Sequence, residues 1–284
     1  MKRRNSFLLW LLAVLATACV WVGNYGYYLA HKLPDIVFLN HYYAFTPSPG
    51  RPMDLYYVTH RDSRRQLVTV QISEQVHWYV RGTSTYGDYG PYRLHKASLE
   101  LIPQEGQLPT EALGTFREFR VWYSDGPSET VPIGEITFTP AEDLQGLPLE
   151  TVQASSGSTG EHHHTLAAKQ DVRLQSVAFS LHSRIADAFD MSVHRTMHEE
   201  VTVPFELKTG ETVTIDGWFR FEPNDPRRME AYMPEMRLRL EPAEGSASSG
   251  ITYWTQTFYK APEPDKQGIR RLIEDRKGAE RLGE

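Results

Sequence analysis

The chain has 284 residues, 40% of them hydrophobic, with a formal net charge of −6 and one cysteine. That length can bury more than one core, and the acidic balance argues against both nucleic acid and anionic lipid headgroups as ligands of the body. With Cys19 as the sole thiol, intrachain disulfides, thiolate metal ligation and cysteine-nucleophile catalysis are closed to the rest of the chain.

Lys2, Arg3 and Arg4 precede an apolar run built on Phe7, Leu8, Leu9, Trp10, Leu11, Leu12, Val14, Leu15, Val20, Trp21 and Val22. A softer stretch with Tyr25, Tyr27 and Tyr28 can complete a membrane span at the aromatic interfacial belt. The expectation is an uncleaved anchor over 6–28 of a single-pass cell-membrane protein. The positive-inside bias leaves the N-terminus cytoplasmic and exports residues 31–284. Two other readings share these residues. Ala16-Thr17-Ala18 fits a signal-peptide cleavage site, and with Cys19 it resembles the Leu-Ala-Gly-Cys signal of bacterial lipoproteins, without the leucine.

Beyond the anchor, short segments rich in β-branched and aromatic residues alternate with Gly, Pro, Asp and Ser punctuation. They fall at 35–45, 53–60, 65–72, 76–82, 92–102, 116–124 and 129–139. A polar, finally Ser/Gly-rich passage over 141–160 separates them from segments at 172–182, 189–194, 200–207, 211–223, 234–242 and 251–260. The fold class predicted is all-β: an N-terminal transmembrane helix over 1–30 and two β-sandwich (Ig-like) domains at 31–145 and 146–262. A charged C-terminal tail or short helix occupies 263–284, with Ile269, Leu272 and Ile273 near one helical face. "ETVPIGEITFTP" at 129–140 and "ETVTIDGWFRFEP" at 211–223 match after one gap, the pattern expected of duplicated units.

The stretch "RGTSTYGDYGPYRLH" at 81–95 reads as a loop between strands. Its Tyr86, Tyr89 and Tyr92 are the candidate binding residues, since rigid aromatics give contact area at low entropic cost. "EHHHTLAA" at 161–168 raises a metal question. On a strand His162 and His164 share one face, and a His-x-His pair can hold zinc or copper. The pair resembles that of cupins, whose following glutamate is replaced here by Ala168 and Lys169. His194 and His198 have helical i,i+4 spacing. Arg195 stands where a zinc protease needs glutamate, and the alternation of Phe189, Met191 and Val193 predicts a strand instead.

No G-x-S-x-G elbow, P-loop or dinucleotide fingerprint occurs. The sequence therefore points to a cofactor-free binding or accessory protein, held in the membrane by its helix and contacting another envelope or membrane protein. A glycan-binding module and a metal-dependent hydrolase using His162 and His164 are the alternatives.

Overall fold

The computed structural model describes residues 2–33, 36–47, 52–73, 76–101, 113–140, 147–157, 160–196, 199–200, 202–243 and 251–282. The proline-free, Leu- and Ala-rich run Lys2–His31 forms one continuous helix, α1. From Trp10 to Leu29 it is long and apolar enough to cross a bilayer, and none of that stretch is buried in the rest of the chain. At its end Tyr28 meets His60 edge-on, ring centroids 5.2 Å apart.

The remainder is mostly strand. The first eight strands are β1 (Val37–Phe38), β2 (His41–Phe45), β3 (Met53–His60), β4 (Leu67–Ser73), β5 (Val76–Tyr89), β6 (Tyr92–Leu101), β7 (Gly114–Tyr123) and β8 (Ser128–Phe138). They lie in one sheet in the order β1-β3-β6-β5-β4-β7-β8-β2. Only two residues separate β1 from β2, yet β1 pairs antiparallel with β3 while β2 runs parallel to β8. The sheet must therefore curl back on itself. His41 ties the two ends: its Nε2 accepts the Tyr56 N–H of β3 at 2.8 Å, and its Nδ1–H donates to the Ile133 carbonyl of β8 at 3.2 Å. Gly134, at φ +100°, makes this approach possible, because a Cβ there would stand 2.5 Å from the His41 carbonyl oxygen. Trp78, Tyr43, Phe45, Tyr57 and Phe119 fill the enclosed core.

The stretch 81–95 is not a loop. β5 runs on to Tyr89, β6 begins at Tyr92, and they pair along their length around a turn at Gly90-Pro91, with Gly90 at φ +70°. Thr and Tyr are strong strand formers, and the long β6 gives them a ladder to join, so strand pairing outweighs the punctuation by Gly82 and Gly87. Register shifts fall beside both glycines, where the strand bends from β4 to follow β6.

The later strands are β9 (Leu149–Ser156), β10 (Glu161–Ala168), β11 (Val172–Phe179), β12 (Phe189–Thr196), β13 (Glu199–Glu200), β14 (Phe205–Leu207), β15 (Thr212–Phe219), β16 (Ala231–Met233), β17 (Glu235–Pro242) and β18 (Thr252–Thr257). A five-stranded sheet, β13-β12-β15-β10-β9, and a four-stranded one, β14-β11-β17-β18, share a second core. Leu166, Val213 and Ile215 enter it from the first, Leu174, Leu238 and Trp254 from the second. The matched stretches 129–140 and 211–223 occupy unlike positions. β8 sits between β7 and the parallel β2, β15 between antiparallel β10 and β12.

β16 leaves the later sheets and pairs parallel with β2, extending the first sheet. Around this crossing Tyr232 stacks on Tyr42, and the buried Glu235 carboxylate accepts the Thr46 N–H at 3.2 Å. A single-turn helix, α2 (His182–Ile185), follows β11, and at the C-terminus α3 (Lys266–Leu282) turns Ile269 and Ile273 into the first core, with Asp265 accepting the Gly268 N–H at its start.

Candidate functional site

Strand parity decides where the histidines point. Along β10 the odd positions are half-buried or exposed and the even ones buried. His162 and His164 thus share a face, but it is the core face, with Leu166. His162 Nε2 lies 2.9 Å from both the backbone N and O of Tyr259, and its ring meets Phe258 edge-on. His164, 4% exposed, has no hydrogen-bond partner at either nitrogen and packs against Trp254 and Phe258. Burial lowers the pKa of both, that of His164 to about 4, with the neighbouring His162 adding to its shift. Among the described residues no group of three or more His, Cys, Asp or Glu side chains is arranged to hold a metal. His198 lies outside the described residues.

The odd positions build something different. His163, Asp216 and Ser192 stand in register across β10, β15 and β12 on the outer face. His163 Nδ1 is 2.6 Å from Asp216 Oδ1, and His194 Nε2 is 3.4 Å from Asp216 Oδ2 and 2.8 Å from Ser192 Oγ. Thr165 Oγ1 and Asp216 Oδ1 stand on opposite nitrogens of His163, at 3.3 and 2.6 Å, whereas Ser192, His194 and Asp216 form no relay. Ser192 and Asp216 share the same nitrogen of His194, and its Nδ1 is buried without a partner, whereas a triad needs the hydroxyl and carboxylate on opposite nitrogens. Two residues along on the same face, Trp218 Nε1 donates to Asp190 Oδ2 at 3.1 Å, and Arg220 pairs with the same carboxylate at 3.2 Å. These groups line an open hollow of about 1100 Å³, bounded on one side by Ser155, Ser156 and Gly157 at the end of β9. The arrangement offers donors, acceptors and an aromatic edge: equipment for recognition.

β9 borders this hollow as the outermost strand. After the buried Leu149, all seven remaining residues are exposed, so both of its faces meet solvent. Among the described residues it pairs only with β10, and Val152 bulges from the ladder with 60% of its surface exposed.

The three tyrosines separate. Tyr92 is buried at 4% exposure within the first core. Tyr86 and Tyr89 line a second cleft, of about 680 Å³, between the first sheet, the 3-10 turn Pro226–Met229 and α3. Tyr86 is 41% exposed and meets Tyr56 edge-on, and the Tyr56 hydroxyl is 2.6 Å from that of Tyr259. Burial raises the pKa of Tyr86 and Tyr89.

The His163–Asp216–His194 group was not singled out from sequence. The available signal was the alternation of "TVTIDGWF", which sends Val213 and Ile215 inward and Asp216 and Trp218 outward.

No protein-family model matches the chain, and no curated protein matches it. Among solved structures it is similar to that of Dpr11 IG1 bound to DIP-gamma IG+IG2, at 12% identity and TM-score 0.17, covering 80% of this chain and 98% of that one. It is likewise similar to the titin domains z1z2 in complex with telethonin, at 10% identity and TM-score 0.16, covering 81% and 98%. Likeness at this level assigns neither a family nor a partner.

Proposed function

We propose that the chain is a membrane-anchored, exported binding module of two β units, the first a single curled sheet where a sandwich was expected and the second a two-sheet (Ig-like) sandwich. In this reading an extended segment of another envelope or membrane protein adds to the free edge of β9. The observation that carries it is the solvent exposure of β9 on both faces, beside an edge that no described strand pairs. Such an edge is a template for strand addition, and β9 has neither the proline nor the lysine that commonly blunts one. Alternate side chains of an added strand would reach over the hollow of His163, Asp216 and Trp218, supplying specificity beyond the backbone ladder.

Photo-crosslinking in cells tests this, with a photoreactive residue at Gln153 and, as control, at the exposed Thr130 of the first sheet. The expected result is a discrete adduct from position 153 alone, reduced at least tenfold by Val152→Asp. Adducts of equal yield from both positions, or indifference to Val152→Asp, overturn the reading. Binding to glycans that depends on Trp218 supports the glycan-binding alternative instead.

A further inference from the structure

The short basic clusters Arg61–Arg65 and Arg270-Arg271 are distant in sequence, and the fold carries both to the end of the molecule from which α1 departs. Tyr28 lies one residue before the end of the apolar span, about 1.5 Å along the helix axis. Whatever touches it sits at headgroup depth. His60 touches it, and the next residue, Arg61, donates its backbone N–H to the Pro91 carbonyl at 2.8 Å, bringing the β5–β6 turn to the same level. Lys266 lies against that turn, 3.6 Å from where a Cβ on Gly90 would be, and Arg270 follows one helical turn on, within electrostatic range of Tyr92. Lys32 leaves the helix at this point.

Lys32, Arg61, Arg64, Lys266 and Arg270 are all exposed and form no ion pair among the described residues. Arg65 and Arg93 at the same end are engaged, by Asp125 at 3.2 Å and Asp88 at 2.8 Å. Besides Asp125 and Asp88, which hold Arg65 and Arg93, the acidic side chains at this end include Asp62, Asp265 and Glu274, and Asp88 is also within electrostatic range of Arg61, so the rim is mixed with a cationic excess. In a chain of net charge −6, a cationic rim around the foot of the anchor is the opposite of the average surface.

We propose that this rim binds anionic phospholipid headgroups in the leaflet from which the body of the protein emerges, seating the first sheet upright on the membrane. The proposal rests on the anchor reading. Each Lys or Arg held near an anionic surface adds to the attraction, which is local and screened by salt. Contact through several side chains at fixed depth would restrict the tilt of the body, and with it the height at which β9 is presented.

The test uses the full chain in vesicles containing phosphatidylcholine with about one-third phosphatidylglycerol. Insertion is measured by resistance to alkaline extraction, and the lipid retained after gentle detergent solubilisation is quantified by mass spectrometry. At least threefold enrichment of phosphatidylglycerol over its bulk ratio is expected. It should be lost at about 0.5 M salt, where the Debye length falls to roughly 4 Å, and lost in both Arg61→Gln/Arg64→Gln and Arg61→Glu/Arg64→Glu with unchanged unfolding temperature. Retained lipid at the bulk ratio in an inserted chain overturns the headgroup inference and leaves the anchor standing. A chain that washes out overturns both.

Discussion

Lowering the pH should loosen the closure of the first sheet through His41. The ring is fully buried, with one nitrogen donating to Ile133 and the other accepting from Tyr56, so a second proton would remove an acceptor and bury a charge. Burial accordingly lowers its pKa from 6.5 to about 4. In the unfolded chain the same ring takes up its proton near 6.5, so between these values the unfolded state binds more protons and acid favours unfolding. The contribution of His41 to stability is complete above about pH 6.5 and is lost progressively down to about pH 4. At about pH 4.5 the linkage comes to roughly 2.5 kcal/mol from this side chain alone, equivalent to about 5–10 °C in unfolding temperature. His95, His162 and His164, also lowered by burial, add to the total, so the contribution of His41 is isolated by comparison with His41→Gln. That side chain keeps one acceptor and one donor and does not titrate. Thermal unfolding of the full chain in detergent, followed by circular dichroism at about pH 7 and about pH 4.5, should show an acid-induced drop smaller in the variant by roughly those 5–10 °C. An equal drop in both proteins would refute the assignment.

Gly134→Ala should be among the most damaging single changes, because the added methyl meets the backbone of His41 at 2.5 and 2.7 Å at a positive φ; a loss of about 3 kcal/mol or more is expected, and a near-native unfolding temperature would sink the account of the closure. Tyr92→Ala should cost about 3–5 kcal/mol by leaving a cavity in the first core, whereas the half-exposed Tyr86→Ala should cost about 1 kcal/mol; chemical denaturation of the two variants checks the ranking. Arg227 reaches both oxygens of Asp187 at 2.8 Å and also bonds Asp225, so Arg227→Lys should lose the two-pronged contact and lower the denaturation midpoint, and an unchanged midpoint would count against it.

Alternation made strands such as β4 and β6 legible, but the 141–160 passage, expected to separate two domains, contains β9, whose exposed, mostly polar residues carry no alternation; in β10 the parity puts His162 and His164 on one face once the segment is a strand. That this face is the core was also written there, in the shared parity of Leu166 and Ala168. Other features have no local signature. Ala231–Met233 is three residues long with no periodicity to read, and its partner β2 lies some 190 residues away. The meeting of His163, His194 and Asp216 depends on β10, β15 and β12 being neighbours, which is a property of strand order. The 81–95 stretch misled because Gly and Asp mark turns on average, while a long partner strand can hold them extended.

The pairing of β16 with β2 sets a clock on biogenesis. The chain is made N-terminus first, and β8 is complete at residue 138, but the strand that covers the outer edge of β2 ends at residue 233. At about 5–20 residues per second the interval of roughly 95 residues lasts on the order of 5–20 s. Throughout it, a row of backbone donors and acceptors on β2 stands open to any passing strand. The later half of the chain thus acts as a stopper for the earlier half, and a nascent chain halted before residue 231 would carry an adhesive edge that the finished protein conceals.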